Sequence, residues 1–133
     1  AHLLMRQMAM DCGYSSASLR ERVYSDETMA GLLIYTSTPD SDGSLGGLVR
    51  QTKPPERFHA ALRSAVDIAT LCSSDPLCRE HNPRRTDRLN AAACHACTMI
   101  SETSCEFGNR LLDRGLIVNL PNQQPTGYFD FDG

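Results

Sequence analysis

Leu71-Cys-Ser-Ser-Asp-Pro-Leu-Cys78, followed after a polar interval by Asn90-Ala-Ala-Ala-Cys-His-Ala-Cys97, is the stretch that decides how this chain folds. Two residues between Cys94 and Cys97 let both sulfurs face one ion, while backbone N–H groups of the turn donate to them. Cys72 and Cys78 supply a second pair, and Cys105, with seven residues between it and Cys97, stands as a reserve. Tetrahedral zinc takes four ionised thiols at about 2.3 Å. The spacing favours Cys72, Cys78, Cys94 and Cys97 as that set. A closed four-cysteine shell leaves no coordination position for water, so the zinc it holds is structural.

Six cysteines suit either disulfides or a metal site. Disulfide-stapled secreted domains are usually shorter and spread their cysteines along the chain. Here five of the six lie between residues 72 and 105, and long helical patterns stand outside that window. A redox-active CxxC would follow a strand leading into a helix. Asn90-Ala-Ala-Ala93 precedes it instead, and redox chemistry gives the other cysteines no role. Zinc therefore outweighs both a redox pair and unligated packing. His81 and His95 read as surface histidines, and Cys12, alone in sequence, as a packed free thiol.

The chain is 133 residues long, 41% apolar and 22% charged, with net charge −3, as expected for one globular domain. So small a charge gives no global case for nucleic acid or an anionic membrane. No apolar run approaches the roughly 18 residues needed to span a bilayer. The opening Ala1-His-Leu-Leu has neither an initiator Met nor a signal peptide, which suggests a C-terminal fragment of a larger protein. Reduced thiols then imply a cytoplasmic setting.

Working outward from the cysteines, Pro55 opens the clearest helix. Phe58, Ala61, Leu62, Ala65, Val66 and Ala69 follow the i, i+3, i+4, i+7 series and lead directly into Cys72. Leu4, Met5 and Met8 predict a helix over residues 1–11. Ser18 with Glu21, and Thr103 with Glu106, match capping boxes and predict two further helices, the second reaching Gly115. Gly31–Ser37 reads as a buried strand, Leu45–Arg50 as a short helix, residues 73–90 as a loop, and Leu116–Leu120 as a strand stopped by Pro121. The expected class is mixed α/β, mostly helical, with a small two- to three-stranded sheet in which those two strands pair in parallel. Residues 1–120 would form the domain and 121–133 an irregular tail.

The block from Ala92 to Arg114 (Ala-Ala-Cys-His-Ala-Cys-Thr-Met-Ile-Ser-Glu-Thr-Ser-Cys-Glu-Phe-Gly-Asn-Arg-Leu-Leu-Asp-Arg) exceeds what zinc binding alone requires. With Cys72-Ser-Ser-Asp-Pro-Leu-Cys78, Cys12-Gly-Tyr, Ser18-Leu-Arg-Glu-Arg-Val-Tyr24 and Ile34-Tyr-Thr-Ser-Thr-Pro-Asp-Ser-Asp-Gly-Ser-Leu-Gly-Gly-Leu48, it resembles the zinc-binding domain (MZB) first named for MrfA helicases. The form nearest to it is that of the DrmB branch, from the DISARM anti-phage defence system. The resemblance implies a non-enzymatic, zinc-stabilised module that supports a DrmA-like helicase partner and DNA recognition. It also implies that Cys72, Cys78, Cys94 and Cys97 are the common ligands.

Two other features bear on function. Arg79, Arg84, Arg85 and Arg88 lie beside the cysteines and offer candidate phosphate contacts, though a solvated loop is the plainer reading. Asp40, Asp42, Ser44 and the glycines to Gly47 would suit a small enzyme or a phosphate- or nucleotide-binding loop. No Lys-Ser/Thr Walker pattern accompanies them, and Ser44 as a helix N-cap is a simpler account.

Overall fold

Leu4, Met5 and Met8 recur at helical spacing and are buried on one face of the first helix, α1 (His2–Cys12). The helix stops at Gly13, whose φ of 72° is left-handed and costs a glycine little. The structure is a computed structural model that describes residues 1–37, 46–83 and 89–129.

The segment after Ser18 forms a strand, β1 (Leu19–Ser25), rather than the predicted helix. It pairs antiparallel with β2 (Ala30–Thr36), from Leu19 opposite Thr36 to Ser25 opposite Ala30. The capping-box residues are used elsewhere. Ser18 Oγ lies 2.6 Å from Ser15 Oγ, and Glu21 turns inward to His2 at 3.2 Å. Leu19 and Glu21 face the core while Arg22 faces solvent, so a carboxylate at an inward position hides the strand's alternation. Asp26 closes the hairpin by accepting from the Thr28 and Met29 N–H groups and the Thr28 hydroxyl.

β2 is exposed rather than buried, with Leu32, Leu33 and Tyr35 more than 40% accessible. Its Ile34 packs inward against the Leu4–Met8–Ala61 cluster. Nor does β2 pair with residues 116–120; its hydrogen-bonded neighbour is β1 alone among the described residues. The helices hold more residues than the strands, and the class is α/β with a two-stranded antiparallel sheet.

Helix α2 (Gly47–Gln51) is short, and Gly46 stands at its N-cap in a left-handed conformation, a position the sequence reading had given to Ser44. Helix α3 (Pro55–Ala69) follows its predicted stripe: Ala61, Ala65, Val66 and Ala69 are buried, with Phe58 and Leu62 partly so. Small residues at 61, 65 and 69 allow α1 to pack closely on α3. Val66, Ala69, Ala92, Val118 and Leu120 form a second cluster beneath it.

Residues 103–115 contain turns and one short 3-10 helix (Arg114–Leu116), not the predicted α-helix. Asn109 and Leu111 take left-handed φ values of 57° and 60°, which no continuous helix admits. Two buried side-chain amides supply the hydrogen bonds instead. Asn109 bridges the N–H and C=O of Ile100, and Asn90 bridges Asn109 O and Leu112 N. Glu106 leaves Thr103 to bind Arg22 at 2.8 Å and the Val23 N–H at 2.9 Å. The predicted strand 116–120 is reduced to one parallel bridge, Val118 to Phe129. There the chain passes so close that a Cβ on Gly127 would lie 2.3 Å from the Val118 carbonyl carbon.

Candidate metal centre

Helix α3 ends at Ala69, and the next residues turn at once into Cys72. Asp75 shapes this loop. Its carboxylate accepts from the Cys72 N–H and the Arg79 N–H, each at 3.1 Å, so one side chain ties both ends of the Cys72–Cys78 turn. The Cys78 N–H donates to Ser74 O at 3.0 Å and completes it.

The second pair sits on a tight turn in which the N–H groups of Cys97, Thr98 and Met99 converge on Cys94 O at 2.9–3.2 Å. Arg6 of α1 grips this turn from outside, donating to the carbonyls of His95, Ala96 and Met99 at 3.0–3.2 Å. The knuckle is thus held against α1 by a planar fork of donors.

The Sγ atoms of Cys72, Cys78, Cys94 and Cys97 all lie within 4.8 Å of one another. Cys72–Cys94 is 3.5 Å, and Cys78–Cys97 and Cys94–Cys97 are each 3.7 Å. A tetrahedron of sulfurs about 2.3 Å from zinc has edges of about 3.8 Å, whereas a disulfide needs about 2.05 Å. The cluster therefore fits a single zinc ion and no disulfide. Hydrogen bonds already point at the sulfurs: Ser74 N–H to Cys72 at 3.4 Å, Cys94 N–H to Cys97 at 3.3 Å, and the Thr98 hydroxyl to Cys97 at 3.2 Å.

The thiols show why a cation belongs here. Burial pushes Cys72 and Cys78 up, and neighbouring sulfurs add to the shift. Burial also opposes ionisation of Cys94, but hydrogen bonds from Cys72 and from the backbone N–H groups of Cys97 and Ala96 win and lower it to about 6. One thiolate forms readily, and further ones are resisted by the charge already present. A divalent ion removes that resistance, because a coordinated thiol is deprotonated outright.

Arg114 supplies further positive charge. Its side chain is fully buried, donates to Ala69 O at 2.9 Å, and forms a short ion pair with Asp75. It thereby satisfies a terminal carbonyl of α3, which has no basic residue in its own last turn. Four thiolates and one zinc carry a net charge of about −2, which this guanidinium partly offsets. Sequence reading missed Arg6, Asp75 and Arg114 as supports of the site. Asp75 between two cysteines of a short turn is the available signal, whereas Arg114 falls in the helix predicted to reach Gly115, where nothing local marks it as buried.

The other singled-out residues lie elsewhere. Cys105 is buried in a separate cluster with Met5, Leu19 and Ile100. Cys12 is a half-buried free thiol that accepts from Gln51 Nε2 at 3.4 Å. His81 and His95 are exposed and outside the sulfur cluster. Arg79 is largely covered, its side chain 14% accessible and 3.4 Å from Glu80. Arg84, Arg85 and Arg88 lie outside the described residues, as does the Asp40–Gly47 loop up to residue 45. No helix among the described residues is long and apolar enough to cross a membrane.

Comparison with known proteins agrees with this centre. The family model described as the MrfA Zn-binding domain matches residues 1–98. DISARM protein DrmB of Bacillus paralicheniformis is 43% identical over 129 residues, which cover 97% of this chain and 23% of that protein. The chain thus spans about a quarter of the length of that curated relative. With a zinc-binding family model matching well over half its length and four sulfurs at zinc spacing, the chain belongs to the MrfA Zn-binding domain family.

Proposed function

We propose that this chain is a non-enzymatic, zinc-stabilised module of a DrmB-like defence protein in a DISARM-type system, working in the cytoplasm. In this reading it supports a DrmA-like helicase subunit and, through the complex, recognition of invading DNA. The observation that carries the non-catalytic part is the closed set of four sulfurs, which leaves a bound zinc no position for water or substrate. The defence role is supported by the 43% identity to DISARM protein DrmB. Cys72, Cys78, Cys94 and Cys97 are the ligands in this proposal, Cys105 is not, and Arg79, Arg84, Arg85 and Arg88, which follow Cys78 closely in sequence, are its candidates for phosphate contact.

The test is co-expression of the tagged protein with a DrmA-type helicase, comparing the zinc-loaded form with Cys94→Ser. Helicase retained by the zinc-loaded form and lost with Cys94→Ser, together with salt-sensitive DNA binding by the complex, is the expected result. A folded, zinc-loaded protein that retains no helicase would sink this reading.

A further inference from the structure

On the far side of the Cys94–Cys97 turn, His2, Glu21 and Cys105 come together from α1, β1 and the 103–115 segment. All three are buried, and one donor atom from each lies within 4.8 Å of the other two. His2 Nδ1 is 3.0 Å from Thr98 O, and a carbonyl oxygen only accepts, so Nδ1 carries a proton. In the neutral ring this turns the Nε2 lone pair toward Glu21 Oε1, 3.2 Å away. Two acceptors at that distance repel unless a cation lies between them.

The remaining atoms of the group ask for the same thing. Glu21 Oε2 is buried and has no hydrogen-bond partner. The Asn109 N–H donates to Cys105 Sγ at 3.2 Å, as donors do to a thiolate ligand. A proton shared by His2 and Glu21 would serve one contact and leave the buried Oε2 without a hydrogen-bond partner.

We propose that His2 Nε2, Glu21 and Cys105 Sγ form a second divalent-metal site, separate from the four-cysteine centre and suited to zinc. Imidazole, carboxylate and thiolate are the donors that zinc accepts at about 2.0–2.3 Å, and the thiolate disfavours magnesium and calcium. The His2–Glu21 separation already matches such a site, and the sulfur lies within 4.8 Å of both. One Zn²⁺ with one carboxylate and one thiolate is electrically neutral, as burial requires.

Three protein ligands leave a fourth position, and the structure provides a space beside it. A cleft of about 710 Å³, walled by Leu3, Leu62, Val66, Phe107 and Ile117, reaches all three ligands. The fourth ligand is therefore water, or a small molecule with an oxygen, nitrogen or sulfur donor and an apolar body to fill the cleft.

The experiment is zinc titration of the apo full chain under reducing conditions, with bound metal measured after equilibrium dialysis. The wild type should bind about two equivalents, and Cys105→Ser and His2→Gln about one each, with the tetrathiolate cobalt spectrum retained by both variants. That retained spectrum is the check that the variants are folded. Binding of about one equivalent by the wild type would overturn the proposal whether or not the variants fold. Two equivalents retained by both folded variants would overturn it as well.

Discussion

Replacing Asp75 by Asn keeps the size of the side chain but leaves one oxygen where Oδ2 accepts from the Cys72 N–H and Oδ1 from the Arg79 N–H, and it removes the charge facing Arg114. Arg114 has no accessible surface, so its guanidinium would remain charged and buried without its hydrogen-bonded carboxylate, leaving only the zinc–thiolate charge to face it. Breaking a buried pair from one side costs about 3–5 kcal/mol. Asp75 keeps 13% of its side chain accessible, so some solvent compensation places the effect near the lower end, about 3 kcal/mol. In urea unfolding of the zinc-loaded protein, with a slope of about 2 kcal/mol/M, the midpoint should fall by about 1.5 M at unchanged slope. Asp75→Asn combined with Arg114→Met should lose clearly less than the sum of the two single changes, because the second removes the stranded charge. A single-variant loss below about 0.5 kcal/mol, or strict additivity, would refute the idea that this pair fastens the cysteine loop to α3.

Two further predictions test other parts of the fold. Gly127→Ala should destabilise the protein by about 1–3 kcal/mol, since the new Cβ would collide with the Val118 backbone; thermal unfolding reads this, and an unchanged midpoint would contradict the close passage. Asp26 is held below the ordinary carboxylate range by hydrogen bonds from the Thr28 backbone and hydroxyl and then from Met29. Its turn is therefore fully supported above about pH 4 and loosens as pH falls through the depressed folded value. An NMR titration should show the Thr28 and Met29 amides moving together with a midpoint below about 3.9, and a midpoint at or above that value would contradict it.

The features legible in the sequence were those whose partners are near in sequence. The stripe of α3 is set by its own spacing, and the two cysteine pairs are each set by a short turn, so both could be read locally. Both predicted capping boxes failed for a single physical reason. Glu21 and Glu106 find distant partners, His2 for one and Arg22 with the Val23 N–H for the other, and neither returns to its own helix start. Residues 103–115 follow side-chain amides of Asn90 and Asn109, whose targets no local pattern announces. The apolar run of β2 suggested burial, yet a two-stranded ribbon covers only part of it, and Leu32 and Leu33 remain exposed. Arg114 was hidden for the opposite reason. An arginine reads as surface unless its counter-ion, here 39 residues away, is known.

The grip of Arg6 on the knuckle has a consequence for how the chain is made. Arg6 and Met99, which it holds, are 93 residues apart, so α1 leaves the ribosome long before its target exists. At about 5–20 residues per second the wait is roughly 5–20 s. During that time Leu4, Met5 and Met8 lack part of the surface that later covers them. Helix α1 is therefore among the last elements to be secured, and a nascent chain stalled before residue 99 would present it, sticky and unclasped, to chaperones.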